Sequence, residues 1–227
     1  MYIDFHSHVL PCADHGSESL EMSLSQLNYA KKAGVSTIVA TPHFYLAEDT
    51  IESFLARREE AFEKLEKHND TGIRIIKASE VQIQPGLSKL PDLPKLCIGD
   101  TNYIFLEFPP EPWPCHVLDT VREIIRERKL RPIFAHIDRY SHLSRECMLN
   151  LNVDIQLNPS ALLDSRKRRS YYLDLVAEDS VHVLGSDCHG DGALAYKDFT
   201  AAIKKLGKLM PYMTENASRI ISSGDRK

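Results

Sequence analysis

One recurring junction restricts what this chain can fold into more than any bulk property. A short apolar, β-branched run stops, and a His, Asp or Glu follows at once. The runs are Ile3-Asp4-Phe5-His6-Ser7-His8, Thr37-Ile38-Val39-Ala40-Thr41-Pro42-His43, Ile75-Ile76-Lys77-Ala78-Ser79-Glu80, Ile104-Phe105-Leu106-Glu107, Ile133-Phe134-Ala135-His136 and Val183-Leu184-Gly185-Ser186-Asp187-Cys188-His189. Runs of this length and composition read as buried strands. A parallel barrel gathers the C-terminal ends of its strands on one face, so polar residues far apart in sequence can converge there.

The segments between the runs have helical period. Residues 17–33 carry Ser17 and Ser19 as candidate caps, place Leu20, Leu24, Leu27 and Ala30 on one face, and stop at Gly34. Residues 50–68, with Ile51, Phe54, Leu55, Phe62 and Leu65, and residues 116–129, with Val117, Val121, Ile124 and Ile125, read as outer-layer helices. Pro85, Gly86, Pro91, Pro94 and Gly99 break any long helix over 84–101, which reads as an irregular connection. Pro109 to Pro114 reads as a stiff loop, 154–158 as a further strand, and the stretch around 160–178 as a helix. Strands near 3–8, 36–42, 73–80, 103–107, 132–137, 154–158 and 181–186 make seven. Strict alternation of strand and helix argues for a parallel sheet, and closure of seven units gives a (β/α)7 barrel, one strand short of the usual TIM-like eight.

Bulk properties agree with this reading. With 227 residues and 43% hydrophobic content, the chain can bury a core, and a barrel over 1–227 would form a single domain. A net charge of -4, from 28 basic and 32 acidic residues mixed throughout, gives no general nucleic-acid or membrane surface. The basic run Arg166-Lys167-Arg168-Arg169 reads first as a solvated helix face and second as a steering patch for an anionic substrate. Cys12, Cys97, Cys115, Cys147 and Cys188 form no CxxC pair, which reads as reduced thiols in a cytoplasmic protein. No stretch approaches the ~20 apolar residues of a membrane span, so neither a cleavable signal nor a helical anchor is expected.

His6 and His8, two apart on a strand, point to one face and can hold a cation together. Alone such a pair is weak, since satisfied histidines are common. Asp187 and His189 repeat the spacing on the strand expected to lie beside the first, and two facing pairs are hard to explain as packing. Glu80 ends an apolar strand, and Glu107 sits between Leu106 and Phe108, where a carboxylate needs a cation or donors. His43 and His136 occupy equivalent strand exits. Mixed imidazole and carboxylate ligands without cysteine suit Mn²⁺, Fe, Co or Zn²⁺, and so many ligands imply two or three ions. Such clusters polarise phosphoryl oxygens and activate a bridging hydroxide for in-line attack, which points to phosphate ester hydrolysis. A cysteine nucleophile of the Cys-x5-Arg type is excluded, because the residues six after the cysteines are Glu18, Tyr103, Val121, Val153 and Leu194. Cys188 lies between two candidate ligands but alternates away from them.

Taken together, DxHxH at 4–8, TPH at 41–43, Glu80, LEF at 106–108, AHIDRY at 135–140 and SDCH at 186–189 resemble the polymerase and histidinol phosphatase (PHP) superfamily. HSHVLPCADHGS with ATPHF, LEF, AHIDRY and SDCH is similar, more closely, to the bacterial manganese-dependent protein-tyrosine phosphatases of capsular and exopolysaccharide biosynthesis. The likeness runs from residue 3 to about 222. It implies a distorted seven-stranded barrel with three metal ions at its C-terminal face. His6, His8, Glu80 and Asp187 would serve one part of the cluster, Glu80, Glu107 and His136 another, and His43 and His189 a third. Those relatives read Asp-Asp-Gly where this chain has Asp14-His15-Gly16, and the second Asp is their ligand. His15 is therefore the expected ligand, with Asp14 as the alternative. Arg139 matches an arginine that contacts substrate phosphate, for which a planar guanidinium is well suited. A second family arginine, after the SDxH motif, has no counterpart here, and Lys197 or the basic run are the candidates to replace it.

The expected activity is hydrolysis of phosphotyrosine on the C-terminal tail of a membrane-associated bacterial tyrosine autokinase that controls polysaccharide synthesis. A histidinol-phosphate phosphatase, or another small phosphomonoesterase of the same superfamily, is the enzyme alternative. A metal-binding regulatory domain without turnover is the alternative from outside catalysis. Neighbouring genes for a tyrosine autokinase or for histidine biosynthesis would separate the first two.

Overall fold

The computed structural model describes residues 1–113 and 116–226. Pro114, the end of the expected stiff loop, and Cys115, one of the expected free thiols, lie outside the described residues. The chain runs β1 (Tyr2–Ser7), α1 (Leu20–Lys32), β2 (Val35–Ala40), β3 (His43–Phe44), α2 (Ile51–Glu66), β4 (Arg74–Lys77), β5 (Glu80–Gln82), β6 (Tyr103–Glu107), α3 (His116–Glu127), β7 (Arg131–Phe134), α4 (His142–Leu149), β8 (Asp154–Leu157), α5 (Arg166–Ala177), β9 (Val183–Leu184), α6 (Ala193–Leu206) and α7 (Met210–Ile221).

All strand pairs are parallel, in the orders β1-β2-β4 and β3-β5-β6-β7-β8-β9. The nine segments are seven strand runs, because the second and third runs are each interrupted. Pro42 has no N–H for the ladder, which ends β2 before β3 begins. The third run breaks at Ala78-Ser79, between β4 and β5. Across both breaks the backbone stays joined, Ala78 N donating to Ala40 O at 2.9 Å and Glu80 N to Pro42 O at 3.0 Å. The last run returns to the first: Asp187 N donates to His6 O at 2.7 Å and His8 N to Cys188 O at 3.1 Å. These bonds give the seven-stranded, distorted TIM-like barrel expected from the sequence.

Two apolar layers flank the strands. Ile3, Phe5, Val39, Ile76, Phe105 and Ile133 form a smaller cluster, joined by Ala217 and Ile220 of α7. A larger one packs Ile38, Ile104, Leu106, Phe134 and Leu184 against helix residues such as Leu27, Phe54, Leu65, Val121 and Phe199. Alternation along β6 sorts its residues between the layers, Tyr103 and Phe105 to one and Ile104 and Leu106 to the other.

The helices begin and end where their local chemistry directs. Ser19 caps α1 by accepting from Met22 N at 3.2 Å, and Gly34, at φ 81°, follows its last turn. Thr50 caps α2 in the same way. The expected helix over 160–178 is two pieces, a 3-10 turn at Pro159–Leu162 and α5, because Ser165 takes an extended conformation and caps Arg168 N. The connection over 84–101 holds two short 3-10 turns, Leu87–Lys89 and Leu93–Leu96. Beyond residue 189, where the sequence reading assigns no element, the chain forms α6 and α7. Among the described residues no helix is long and apolar enough to cross a membrane, and Cys12, Cys97, Cys147 and Cys188 are free.

Candidate metal centre

The strand exits meet at Glu80. Its side chain is buried, and one oxygen, Oε2, lies 3.1 Å from His6 Nε2, 3.2 Å from His8 Nε2 and 3.2 Å from His43 Nδ1. The other, Oε1, lies 2.9 Å from His136 Nε2, which is itself 3.5 Å from Glu107 Oε1. His6 Nε2 and His8 Nε2 are 3.0 Å apart, and Asp187 Oδ1 stands 3.5 and 3.6 Å from them. Ligands bound tetrahedrally at about 2.0–2.1 Å are spaced about 3.3 Å from one another. The His6 and His8 nitrogens have about this spacing from one another and from the Glu80 and Asp187 oxygens.

Unpartnered atoms point the same way. Glu107 Oε2, Asp187 Oδ1 and His43 Nδ1 are buried without a hydrogen-bond partner, a costly arrangement for polar atoms that have nothing to bind. Potential ligand atoms of His6, His8 and Asp187, of His43, Glu80 and Glu107, and of His8, His43 and His189 form three groups, each within 4.8 Å. The donor set fits divalent ions of the Mn, Fe, Co and Zn type. The division differs from the expected one: the first group lacks Glu80, the second has His43 where His136 was expected, and the third includes His8 and not His15.

Asp14 and His15 divide two tasks. Asp14 Oδ2 accepts from His8 Nδ1 at 2.6 Å and from His43 N at 2.9 Å, and Oδ1 accepts from Gly16 N at 2.9 Å. Its oxygens thus orient two of the candidate ligands. The exposed His15 ring stacks on His43 at 4.7 Å and lies 5.1 Å from His189, beside the third group.

Residues the sequence reading passed over hold the ligands in place. Buried Asp4 accepts from Ser186 N at 2.7 Å and Tyr196 Oη at 2.9 Å, tying the first strand to the last. Gln156 Oε1 accepts from His136 N at 2.6 Å and lies 3.3 Å from His6 Nδ1. Asn158 Nδ2 donates to Asp187 Oδ2 at 3.1 Å. The sequence held a faint signal: Gln156 and Asn158 repeat the i, i+2 spacing on the single run without a ligand. A Cβ on Gly185 would come within 2.5 Å of His6 Cβ, and one on Gly16 within 2.0 Å of His8 Cβ, so both histidines depend on a glycine opposite.

The strand geometry is less regular than the spacing suggested. The β1–β2 register shifts between Asp4 and Ser7. Asp187 and His189 lie beyond β9 rather than on it, with Asp187 at φ 51°, and His136 follows β7 at φ 29°. Non-glycine residues in this region carry about 1–3 kcal/mol of strain each and cluster at functional sites. Cys188 is buried, and burial pushes its thiol well above the usual range, in keeping with a packing role.

Arg139, about half exposed, pairs with Asp187 Oδ2. A cleft of about 170 Å³ lies between Arg139, Asn158, Ser160, Ser186, Asp187 and Asp198. Lys197 is not among the residues lining it, although the neighbouring Asp198 is. In the basic run, Arg166 and Lys167 are exposed on α5, while Arg168 donates to Asp138 O at 2.7 Å and pairs with Asp164. Phe44 packs on Phe54 in the core. Tyr45 stacks on His43 at 5.2 Å, and Trp113 stacks on Phe108 at 4.2 Å.

Electrostatics explain how the cluster holds protons when stripped of metal. Burial disfavours a charged His136, yet hydrogen bonds to Glu107 and Glu80 outweigh it and push the ring up to about 9. Burial likewise opposes charge on His8, but Asp14, Asp187 and Glu80 raise it. Burial would raise Glu80, and the imidazoles of His6 and His136 pull it below the carboxylate range instead. Burial lowers His43 to about 3. A raised histidine contributes stability that is complete below 6.5 and lost as pH climbs through its folded value, whereas the lowered His43 contributes no change above 6.5. Metal-stripped protein is therefore expected to lose stability between pH 6.5 and about 9, and the melting-temperature gain on adding Mn²⁺ to widen over that window. A gain that narrows would refute this account. His15→Ala is expected to remove one ion per chain by elemental analysis. Asp14→Ala should keep the stoichiometry but weaken affinity about 10- to 100-fold. The reverse order would exchange their roles.

Residues 2–221 match the family described as capsular polysaccharide synthesis, CpsB/CapC. The tyrosine-protein phosphatase YwqE of Bacillus subtilis (strain 168) is 27% identical over 239 residues, covering 96% of this chain and 91% of that protein. The tyrosine-protein phosphatase CpsB of Streptococcus pneumoniae is 28% identical over 211 residues, covering 82% of each. Among solved structures, one from the crystallographic work on YwqE from Bacillus subtilis and CpsB from Streptococcus pneumoniae, described as unique metal-dependent tyrosine phosphatases, aligns with a TM-score of 0.78 at 22% identity, over 97% of this chain and 94% of that one. The histidinol phosphate phosphatase of Lactococcus lactis, complexed with zinc, L-histidinol and phosphate, aligns with a TM-score of 0.59 at 16% identity, over 91% and 94%. At these identities the structural likenesses speak for the shared barrel fold. The match over nearly the whole sequence settles the wider relationship: the chain belongs to the CpsB/CapC family of capsular polysaccharide synthesis.

Proposed function

We propose that this chain is a metal-dependent protein-tyrosine phosphatase, one metallophosphoesterase unit over residues 1–227, that hydrolyses phosphotyrosine on the tail of a membrane-associated tyrosine kinase from the cytoplasmic side. The observation that carries the reading is Glu80, whose two oxygens face different imidazoles, Oε2 towards His6, His8 and His43 and Oε1 towards His136. A buried carboxylate placed in this way suits a bridge between neighbouring ions. The ligand set is His6, His8, His15, His43, Glu80, Glu107, His136, Asp187 and His189, for two or three divalent ions with Mn²⁺ foremost. The family membership and the tyrosine-phosphatase relatives support the substrate class.

When bound, the ions supply Lewis acidity and an activated water. The chain's own residues do the remainder. Asp14, Gln156 and Asn158 fix the ligand orientations through the hydrogen bonds described above. Arg139 receives the phosphoryl group: if Asp187 were engaged in holding an ion, the half-exposed guanidinium that now pairs with it would be available to an equatorial oxygen. Tyr45 offers an aromatic face for the leaving group. Burial, together with Glu107, Glu80 and Asp14, keeps its own phenol protonated. A departing tyrosine phenolate, whose conjugate acid has a pKa near ~10, is a far better leaving group than the alkoxide of an aliphatic phosphate ester.

Arg139→Lys is expected to retain the metals and lower kcat by about 10²- to 10³-fold, the scale of losing one donor to developing negative charge. Loss of bound metal in this variant would assign Arg139 to holding Asp187 instead. The substrate is tested by comparing a phosphotyrosine peptide with histidinol phosphate, after showing that hydrolysis of p-nitrophenyl phosphate disappears with chelator and returns with Mn²⁺. The peptide is expected to have the higher kcat/KM. Histidinol phosphate winning would overturn the tyrosine assignment, and full activity in a protein shown to be free of metal would overturn the metal reading.

A further inference from the structure

Arg58 stands on the buried stripe of α2, in series with Phe54, Ala61 and Leu65. Only 8% of the residue is exposed. Its hydrogen bonds all go to neutral oxygens: Nη1 donates to Ala78 O at 2.9 Å and to Ser79 Oγ at 2.8 Å, and Nη2 donates to Lys95 O at 3.4 Å. Nε is buried without a partner. A guanidinium removed from water without a carboxylate against it is destabilising, and an apolar side chain of similar length would fill the same stripe at less cost. Packing therefore gives no reason for an arginine at this position.

What Arg58 grips gives one. Ala78-Ser79 is the break in the third strand run, and the next residue is Glu80. From the opposite side the break is held by backbone bonds to the second run, Ala78 N to Ala40 O and Glu80 N to Pro42 O. Ordinary strand pairing is suspended at this link, so a rigid two-donor side chain is needed to fix the carbonyl of Ala78 and the hydroxyl of Ser79 together. Glu80 is also the ligand with least tolerance, since its two oxygens must each meet a different part of the cluster. We infer that Arg58 is a positioning residue for the metal centre, locking the Ala78-Ser79 link so that Glu80 enters with one oxygen on each side. This rests on the reading of Glu80 as a bridging ligand.

The test is metal binding by calorimetry, with ions per chain counted by elemental analysis, alongside thermal melting with and without Mn²⁺. Arg58→Met keeps the apolar stem and removes both donors. It is expected to bind Mn²⁺ about 10- to 100-fold more weakly, the range for residues that orient metal ligands, and to show a smaller melting-temperature gain on metal addition. Arg58→Lys keeps N–H donors on a single flexible ammonium but loses the planar guanidinium, and should fall between Arg58→Met and the unaltered protein. If Arg58→Met fails to fold, Arg58→Lys alone reads the same affinity. Unchanged affinity in the folded variants, with melting lowered equally in metal-free and metal-loaded protein, would reduce Arg58 to a structural residue and overturn the inference. Absence of Mn²⁺ binding in the unaltered protein would instead defeat the metal reading on which the inference rests.

Discussion

The buried carboxylate of Glu80 is the constraint on which the rest of the structure depends. Placed in the barrel with no solvent, it is held ionised by the imidazoles of His6 and His136 against the penalty of burial. The His8 ring is fixed from behind by Asp14 and the His6 ring by Gln156, whose Oε1 also accepts from the backbone N of His136. Pairing of this kind makes a buried charge tolerable only if every partner is in place. The strand exits are therefore coupled: a displacement of one run leaves a charge uncompensated on another.

The barrel is distorted where this coupling requires it. Pro42 ends the ladder of the second run and Ala78-Ser79 that of the third, and the residues immediately after the breaks are His43 and Glu80. Asp187 and His136 enter the cluster from backbone conformations that L-residues seldom adopt. Regular strands would alternate these side chains between barrel interior and exterior. The interruptions turn additional side chains to one face, at the expense of local hydrogen bonding that Arg58, Asp4 and the backbone bonds between runs restore.

Arg139 shows how the same electrostatics reach the substrate. Its counter-ion is itself a candidate ligand, so the charge that a cation would neutralise is the charge that now holds the guanidinium. On the proposed function, occupancy of the centre and availability of Arg139 for phosphate would be linked through Asp187. The site carries no second arginine after Asp187-Cys188-His189, and Asp198 faces the neighbouring cleft. In the proposed function, anion recognition by the chain's own cations therefore falls to Arg139.

Much of this was legible in the sequence. Apolar runs ending in His, Asp or Glu marked six of the seven strand runs and all the residues that meet at Glu80, because burial of strands and the polarity of their exits are both local properties. The cap at Ser19 and the stop before Gly34 were local as well. The amino-acid order did not by itself determine what each polar group would face. Asp14 and His15 are adjacent in the chain, and only the folded loop turns the first onto His8 and His43 and stacks the second beside His189. Phe44 and Tyr45 read alike as aromatic, yet one is core and the other lies on the cluster. Arg58 looked like one more charge on a charged helix, and Gln156 like any strand amide. Sequence determined which chemistry was present and which segments could be buried, since these follow from residue type and period. Tertiary structure decided partnership, because hydrogen bonds and charge pairs between residues a barrel's width apart exist only once the strands have closed.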